Sequence, residues 1–267
     1  MGGFICEALV SSGLRHSGGA ELCEDSVGVV TTPSGAVFFI ADATSDEGGM
    51  GPFSSRYLAN CLGYWFLSKG LSALDKRFDK IDVDKVFSGA LDSMQASWLK
   101  EWAAFLKKPE AAKEFEKHFE AYRSKEGGGG VKSFSTAFMG GVIMGASERR
   151  AMIVRTGDID LVVKRAGHAP SRKDIRKDRI FAQFIKKSDN HQPRIRFSDT
   201  VYEVYSASMV DYLIAKTDGV SFLNDELTIK AMADGGAQGV LKFRRILLKG
   251  IKSGAGDDRA LFYIAFL

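Results

Sequence analysis

Five aspartates in this 267-residue chain sit where an apolar run begins or ends. Asp25 precedes the run 26–30, and Asp42 follows Val37-Phe38-Phe39-Ile40-Ala41. Asp158 lies in a Gly157-Asp158 break, Asp218 closes 212–217, and Asp257 precedes the last run, 260–266. Any one of them reads most simply as a turn aspartate, because the Asp side chain bonds nearby backbone. If the runs are strands that share sheets, however, their ends bring several carboxylates to one edge. Crowded carboxylates cannot all stay ionised and unpaired, since desolvation and like charge raise their pKa values. Divalent cations resolve the conflict. An oxygen-only site without His or Cys suits Mg²⁺ or Mn²⁺ rather than zinc. Two such ions ~3.5–4 Å apart could hold a hydroxide between them and clamp a phosphoryl oxygen.

The elements that must position these residues follow from periodicity and turn chemistry. The apolar runs 26–30 and 36–41 flank Thr31-Thr32-Pro33-Ser34-Gly35, which predicts a hairpin. Helical spacing is expected over 53–69, and again over 84–106 through Val86, Phe87, Ala90, Leu91, Met94, Trp98, Trp102 and Phe105. Pro109 opens a further helix ending near Tyr122. Strands are expected at 138–144, 151–154, 161–164, 200–205 and 212–216, helices at 225–233 and 238–251, and a closing strand at 260–266. This order lacks a repeating βαβ unit. It predicts an α+β architecture, with helices packed outside largely antiparallel sheets, in one domain spanning 1–267.

Composition excludes much else. With 45% hydrophobic and 26% charged residues, the chain is neither collagen-like, coiled coil nor disordered. Its 37 Lys and Arg against 33 Asp and Glu hide an uneven distribution: residues 164–196 hold eleven bases and three acids. That block reads as a solvated loop or as a positive flap that attracts an anionic substrate; nucleic acid is the weaker reading. Its aromatics Phe181 and Phe184 are three apart, the spacing of the core side of a helix. Cys6, Cys23 and Cys61 have no zinc or CxxC spacing and read as reduced thiols. No apolar run reaches the ~18 residues of a membrane helix. With no basic region ahead of its first apolar residues, the chain is expected in the cytoplasm. Gly127-Gly128-Gly129-Gly130-Val131-Lys132-Ser133 fails as a phosphate loop, because Val131 and Glu126 stand where glycines are required.

The ordered set of motifs resembles the metal-dependent PP2C-type (PPM) serine/threonine protein phosphatases. Leu22-Cys23-Glu24-Asp25-Ser26 is similar to the family's Asn-Glu-Asp opening. Ile40-Ala41-Asp42-Ala43, the glycines around Met50, and Ser54-Ser55-Arg56 resemble its Val-Ala-Asp-Gly-Met-Gly-Gly stretch and following helix. Ser135-Thr136-Ala137, Thr156-Gly157-Asp158, Ala215-Lys216-Thr217-Asp218-Gly219-Val220 and Gly256-Asp257-Asp258-Arg259-Ala260 follow in family order, with Asp211 matching an upstream aspartate.

The resemblance implies a four-layer αββα sandwich with metals at one end of the two central sheets. It implies Asp42 bridging two ions, the Ala43 carbonyl on one, Asp218 and Asp257 on the other, and Asp25 acting directly or through water with Glu24 behind it. Asp158 would serve a third position, and the basic block 164–196 would be the variable flap. Arg15 is the nearest candidate for the phosphate-binding arginine, and no histidine is assigned as general acid. The implied function is Mg²⁺/Mn²⁺-dependent hydrolysis of phosphoserine or phosphothreonine in proteins through a metal-bridged hydroxide. Ala43 in place of a glycine, and Ile159-Asp160 in place of Ser-Arg, keep a second reading open: a catalytically silent binding or regulatory module on the same fold.

Overall fold

The computed structural model describes residues 4–11, 23–44, 54–74, 81–110, 113, 133–145, 149–173, 178–186, 193–220, 238, 239, 241, 242, 245 and 257–266. Twelve strands and two long helices are found among them. The predicted hairpin is β2 (Asp25–Thr32) and β3 (Gly35–Ala43), paired antiparallel from Thr32↔Gly35 down to Asp25↔Asp42. Two helices follow, α1 (Ser55–Leu74) and α2 (Val83–Leu106). The Ser54 hydroxyl accepts the Tyr57 N–H at 3.0 Å, and Asp82 accepts the Lys85 N–H at 3.2 Å, so each helix starts on a side-chain cap.

The remaining strands complete two antiparallel sheets. β1 (Phe4–Ser11), β12 (Arg259–Phe266), β11 (Val210–Lys216), β6 (Asp160–Arg165) and β7 (Ser171–Lys173) form one, in that spatial order. The other runs β10 (Glu203–Ala207), β5 (Arg150–Thr156), β4 (Ser133–Met144), β3 and β2. It is extended by β8 (Ile180–Lys186) on β4 and β9 (Pro193–Phe197) on β8.

Alternation along β3 explains the layering. Ala36, Phe38 and Ile40 enter the core between the sheets, where Phe38 stacks on Phe262 with centroids 3.8 Å apart. Val37, Phe39, Ala41 and Ala43 face the helices, joining Leu58, Leu62, Phe66, Phe87 and Trp98. With both faces covered, β3 reads as a continuous apolar run rather than an alternating one. Val162, Tyr212, Ile214, Leu261 and Tyr263 form a third cluster on the outer face of the five-stranded sheet. This is the expected α+β sandwich of antiparallel sheets with helices outside.

Three expectations are corrected or extended. Phe181 and Phe184 belong to strand β8, not a helix: the register Ser135↔Phe181 makes this segment the continuation of a sheet. Most of the described part of 164–196 is accordingly sheet as well, with β7 on β6, β8 on β4 and β9 on β8. β1 was not expected at all, and the strand expected at 200–205 is β10, 203–207. Most of the helices expected over 109–122, 225–233 and 238–251 falls outside the described residues, as does the glycine run 127–130.

Candidate metal centre

The inward phase of β3 continues past Ile40 to Asp42, and that of β2 runs Val29, Val27, Asp25. The register Asp25↔Asp42 therefore sets two carboxylates side by side, at the end of the cleft between the sheets. The next residue in this row is Ala137 of β4. There β4 changes partners, from β5 at Phe138↔Thr156 to β8 at Thr136↔Ile180. Gly157-Asp158 leaves and Asp178-Arg179 enters at this junction. Gly157 has φ +84°, and a Cβ on it would stand 2.2 Å from the Ala137 Cβ, so the turn needs a glycine twice over.

The opposite sheet supplies the rest. Thr217 at the end of β11 donates to Asp25 Oδ2 at 2.5 Å and accepts the Ala260 N–H at 2.9 Å. Asp218 opens a 3-10 turn, Asp218–Val220. Asp258 accepts the Glu24 N–H at 2.6 Å, a second tie between the sheets, while its own N–H donates to Asp257 Oδ1 at 3.1 Å. A Cβ on Gly219 would lie 1.8 Å from the Asp258 carbonyl oxygen, so glycine here lets the turn close onto the start of β12.

Among the described residues, Arg179 reaches the cluster. Arg179 Nη2 donates to Asp158 Oδ1 at 2.7 Å and Oδ2 at 3.0 Å, and to Asp42 Oδ2 at 3.3 Å. Its Nη1 donates to the Asp42 carbonyl at 3.4 Å and to Thr44 Oγ1 at 3.5 Å. Thr136 Oγ1 also donates to the Asp42 carbonyl, at 3.1 Å, and Thr44 is bonded to the Ser135 hydroxyl.

The electrostatics follow from this crowding. Burial pushes the Asp25 carboxyl up to about 8; the Thr217 hydroxyl pulls it back, and the charges of Asp42, Asp258 and Asp218 add to the rise. Burial raises Asp42 to about 6, against the lowering effect of Arg179. Asp218 is raised by burial and by Asp257 and Asp158. Burial disfavours the Arg179 charge, but Asp42 and Asp158 hold its pKa above the ordinary value.

Of the residues expected in a site, the structure thus brings Asp25, Asp42, Asp158, Asp218 and Asp257 to one end of the sandwich. Ala43 closes β3 with its methyl buried against the helices. It is not among the positive-φ residues, so this backbone does not require the glycine it replaces. Asp211 lies at the far end of β11, paired with Arg149 at 3.0 Å. Asp160 stands apart from the cluster, buried with Lys216 at 3.6 Å and Arg172 at 2.8 Å. Ile159 is core, which accounts for the Ile-Asp pair structurally. Cys6, Cys23 and Cys61 are free, with thiols pushed by burial up to about 12, 12 and 11. His168 is exposed. Arg15, His16, His118 and His191 lie outside the described residues. Arg179, Thr217 and Asp258 were not singled out from the sequence.

The donor set suits Mg²⁺ or Mn²⁺ in kind: it is oxygen-only, its carboxylates raise one another's pKa, and a guanidinium already stands in as a cation. Among the described residues, no three His, Cys, Asp or Glu side chains are gathered closely enough to form a ready cage.

The class this architecture defines emerges from solved structures. The Mycobacterium tuberculosis serine/threonine phosphatase PstP/Ppp aligns over 98% of both chains, with TM-score 0.55 and 13% identity. The PstP catalytic domain in complex with two manganese ions covers 99% of this chain and 98% of its own, with TM-score 0.54 and 12% identity. RsbX in complex with magnesium covers 99% and 96%, with TM-score 0.53 and 12% identity. The fold is that of the PP2C-type serine/threonine phosphatases, as the motif order implied. No family sequence profile matches the chain, and no curated protein matches it by sequence. No helix among the described residues is long and apolar enough to cross a membrane.

Proposed function

We propose that this protein is a Mg²⁺/Mn²⁺-dependent phosphatase acting on phosphoserine or phosphothreonine in proteins. The observation that carries this reading is the row Asp25–Asp42 in register across β2 and β3, met from the other sheet by Asp218 and Asp257. In this reading Asp42 and the Ala43 carbonyl hold one ion, Asp218 and Asp257 help to hold a second, and Asp158 serves a third position. Bound ions would supply a Lewis acid for a phosphoryl oxygen and a nucleophile at neutral pH.

The chain's own groups do the positioning. Thr217 orients Asp25, Asp258 fixes the backbone of Glu24 beside it, and the Phe38–Phe262 core closes the cleft behind the carboxylates. Arg15 remains the proposed phosphate-binding arginine. Its test is a rise in KM for phosphopeptide when it is replaced by Ala.

The function itself is tested by phosphate release from a phosphoserine or phosphothreonine peptide with Mn²⁺. Asp42→Asn and Asp218→Asn should each lower the rate by about a hundredfold or more. Undiminished hydrolysis in these variants would refute the assignment. Arg179 seated on Asp42 and Asp158 favours one alternative, a silent binding module whose cation is its own arginine. Calorimetric titration separates the two: the module binds no Mn²⁺ at millimolar metal.

A further inference from the structure

Arg179 is held by its flanks rather than offered on a free loop. The residue before it, Asp178, has its carbonyl bonded by Thr156 Oγ1 at 2.8 Å, and the residue after it, Ile180, pairs with Thr136 of β4. Its side chain is 22% exposed, and both terminal nitrogens are committed to the Asp42 carboxylate, the Asp42 carbonyl, Thr44 and Asp158. In this pose both terminal nitrogens are turned to protein oxygens, most tightly to Asp158.

Both aspartates it holds, Asp42 and Asp158, are carboxylates that the proposed function gives to metal. A divalent cation on Asp42 would compete for the same oxygens, and would stand next to a fixed positive charge. We infer that Arg179 is a built-in competitor of the metal: the Asp42–Asp158 edge accepts a divalent ion only as the guanidinium swings off it. This inference rests on the metal-dependent reading. Since the backbone on either side of Arg179 is anchored in the sheet, the change is a rotation of one long side chain, with β8 left in place. Coupling of this kind is reciprocal, so Arg179 weakens the metal by the same factor by which the metal weakens the arginine's ion pairs. Without metal, the arginine stabilises the fold by offsetting two half-buried acids, Asp42 and Asp158.

The test compares wild type with Arg179→Gln and Arg179→Lys, by Mn²⁺ calorimetry and by thermal melting without metal. The Gln variant should bind Mn²⁺ at least about tenfold more tightly and melt at lower temperature without metal. The Lys variant keeps the charge but loses the fork, and should fall between. If Arg179→Gln does not fold, tighter Mn²⁺ binding by Arg179→Lys supports the inference. Mn²⁺ affinity unchanged or weakened in the folded variants, with wild type binding normally, overturns the inference and leaves the metal reading standing. No Mn²⁺ binding by wild type or either variant overturns the metal reading, and the inference with it.

Discussion

Thr217 carries more than its size suggests. A single hydroxyl donates to Asp25 in one sheet and accepts the Ala260 N–H in the other, at the point where the sandwich must hold its acids apart. Thr217→Val would leave the buried Ala260 N–H and the buried Asp25 carboxyl group without this partner. A loss of about 1–3 kcal/mol in urea unfolding is expected, with Thr217→Ser close to wild type. The same substitution removes a hydrogen bond that lowers the Asp25 pKa, so Mn²⁺ affinity at neutral pH should drop and recover at higher pH. Equal stability of the Val and Ser variants would contradict this account. At this scale the sequence was only partly legible. The aspartates announced themselves by abutting apolar runs. Arg179 did not, being one of eleven bases in 164–196; its role arises only where β4 exchanges β5 for β8.

Elements place these residues through register and close approach. The hairpin was readable because Pro33 and Gly35 punctuate two β-rich runs, and that reading already set Asp25 near Asp42. The helices 55–74 and 83–106 were readable because their apolar spacing is local. β8 was not: its Phe181 and Phe184 mimic a helical face, and its identity depends on a partner strand far away in sequence. β1, where none of the side chains of residues 4–10 is fully buried, offered no strong apolar run. The most demanding joint is between the 3-10 turn and β12. Gly219→Ala drives a methyl into the Asp258 carbonyl, an obstacle of backbone rather than of a flexible side chain. A destabilisation of about 1–3 kcal/mol is expected in denaturant unfolding, with weaker Mn²⁺ binding as Asp218 is displaced from Asp257. Wild-type unfolding and binding in this variant would show that the turn does not set the site.

Across the whole molecule, the two sheets meet at an end whose charge sets the response to pH. Asp25 and Asp42, at about 8 and about 6, hold protons in the folded state that the unfolded chain, with ordinary carboxylates near ~4, has released. The folded state thus binds more protons across that interval, and stability of the metal-free protein falls as pH rises from about 4 to about 8. Melting temperatures without metal should be lower at about pH 8 than at about pH 5, and excess Mn²⁺ should reverse the order by stabilising the ionised acids. A metal-free melting temperature that does not fall would mean that the acids are already compensated. The fold class was legible in element order, and the fold of PP2C-type phosphatases in the motif order, because both depend on sequence-local signals. Which acids share charge with which partner was not, because that is decided by pairings between two sheets.

The central claim is that this end of the sandwich is a metal centre, and anomalous diffraction from crystals soaked in Mn²⁺ tests it most directly. The account predicts anomalous peaks bounded by Asp42 and by Asp218 and Asp257, with the Arg179 guanidinium displaced from the Asp42 carboxylate. No peak at saturating Mn²⁺, with Arg179 still bonded to Asp42 and Asp158, would contradict it.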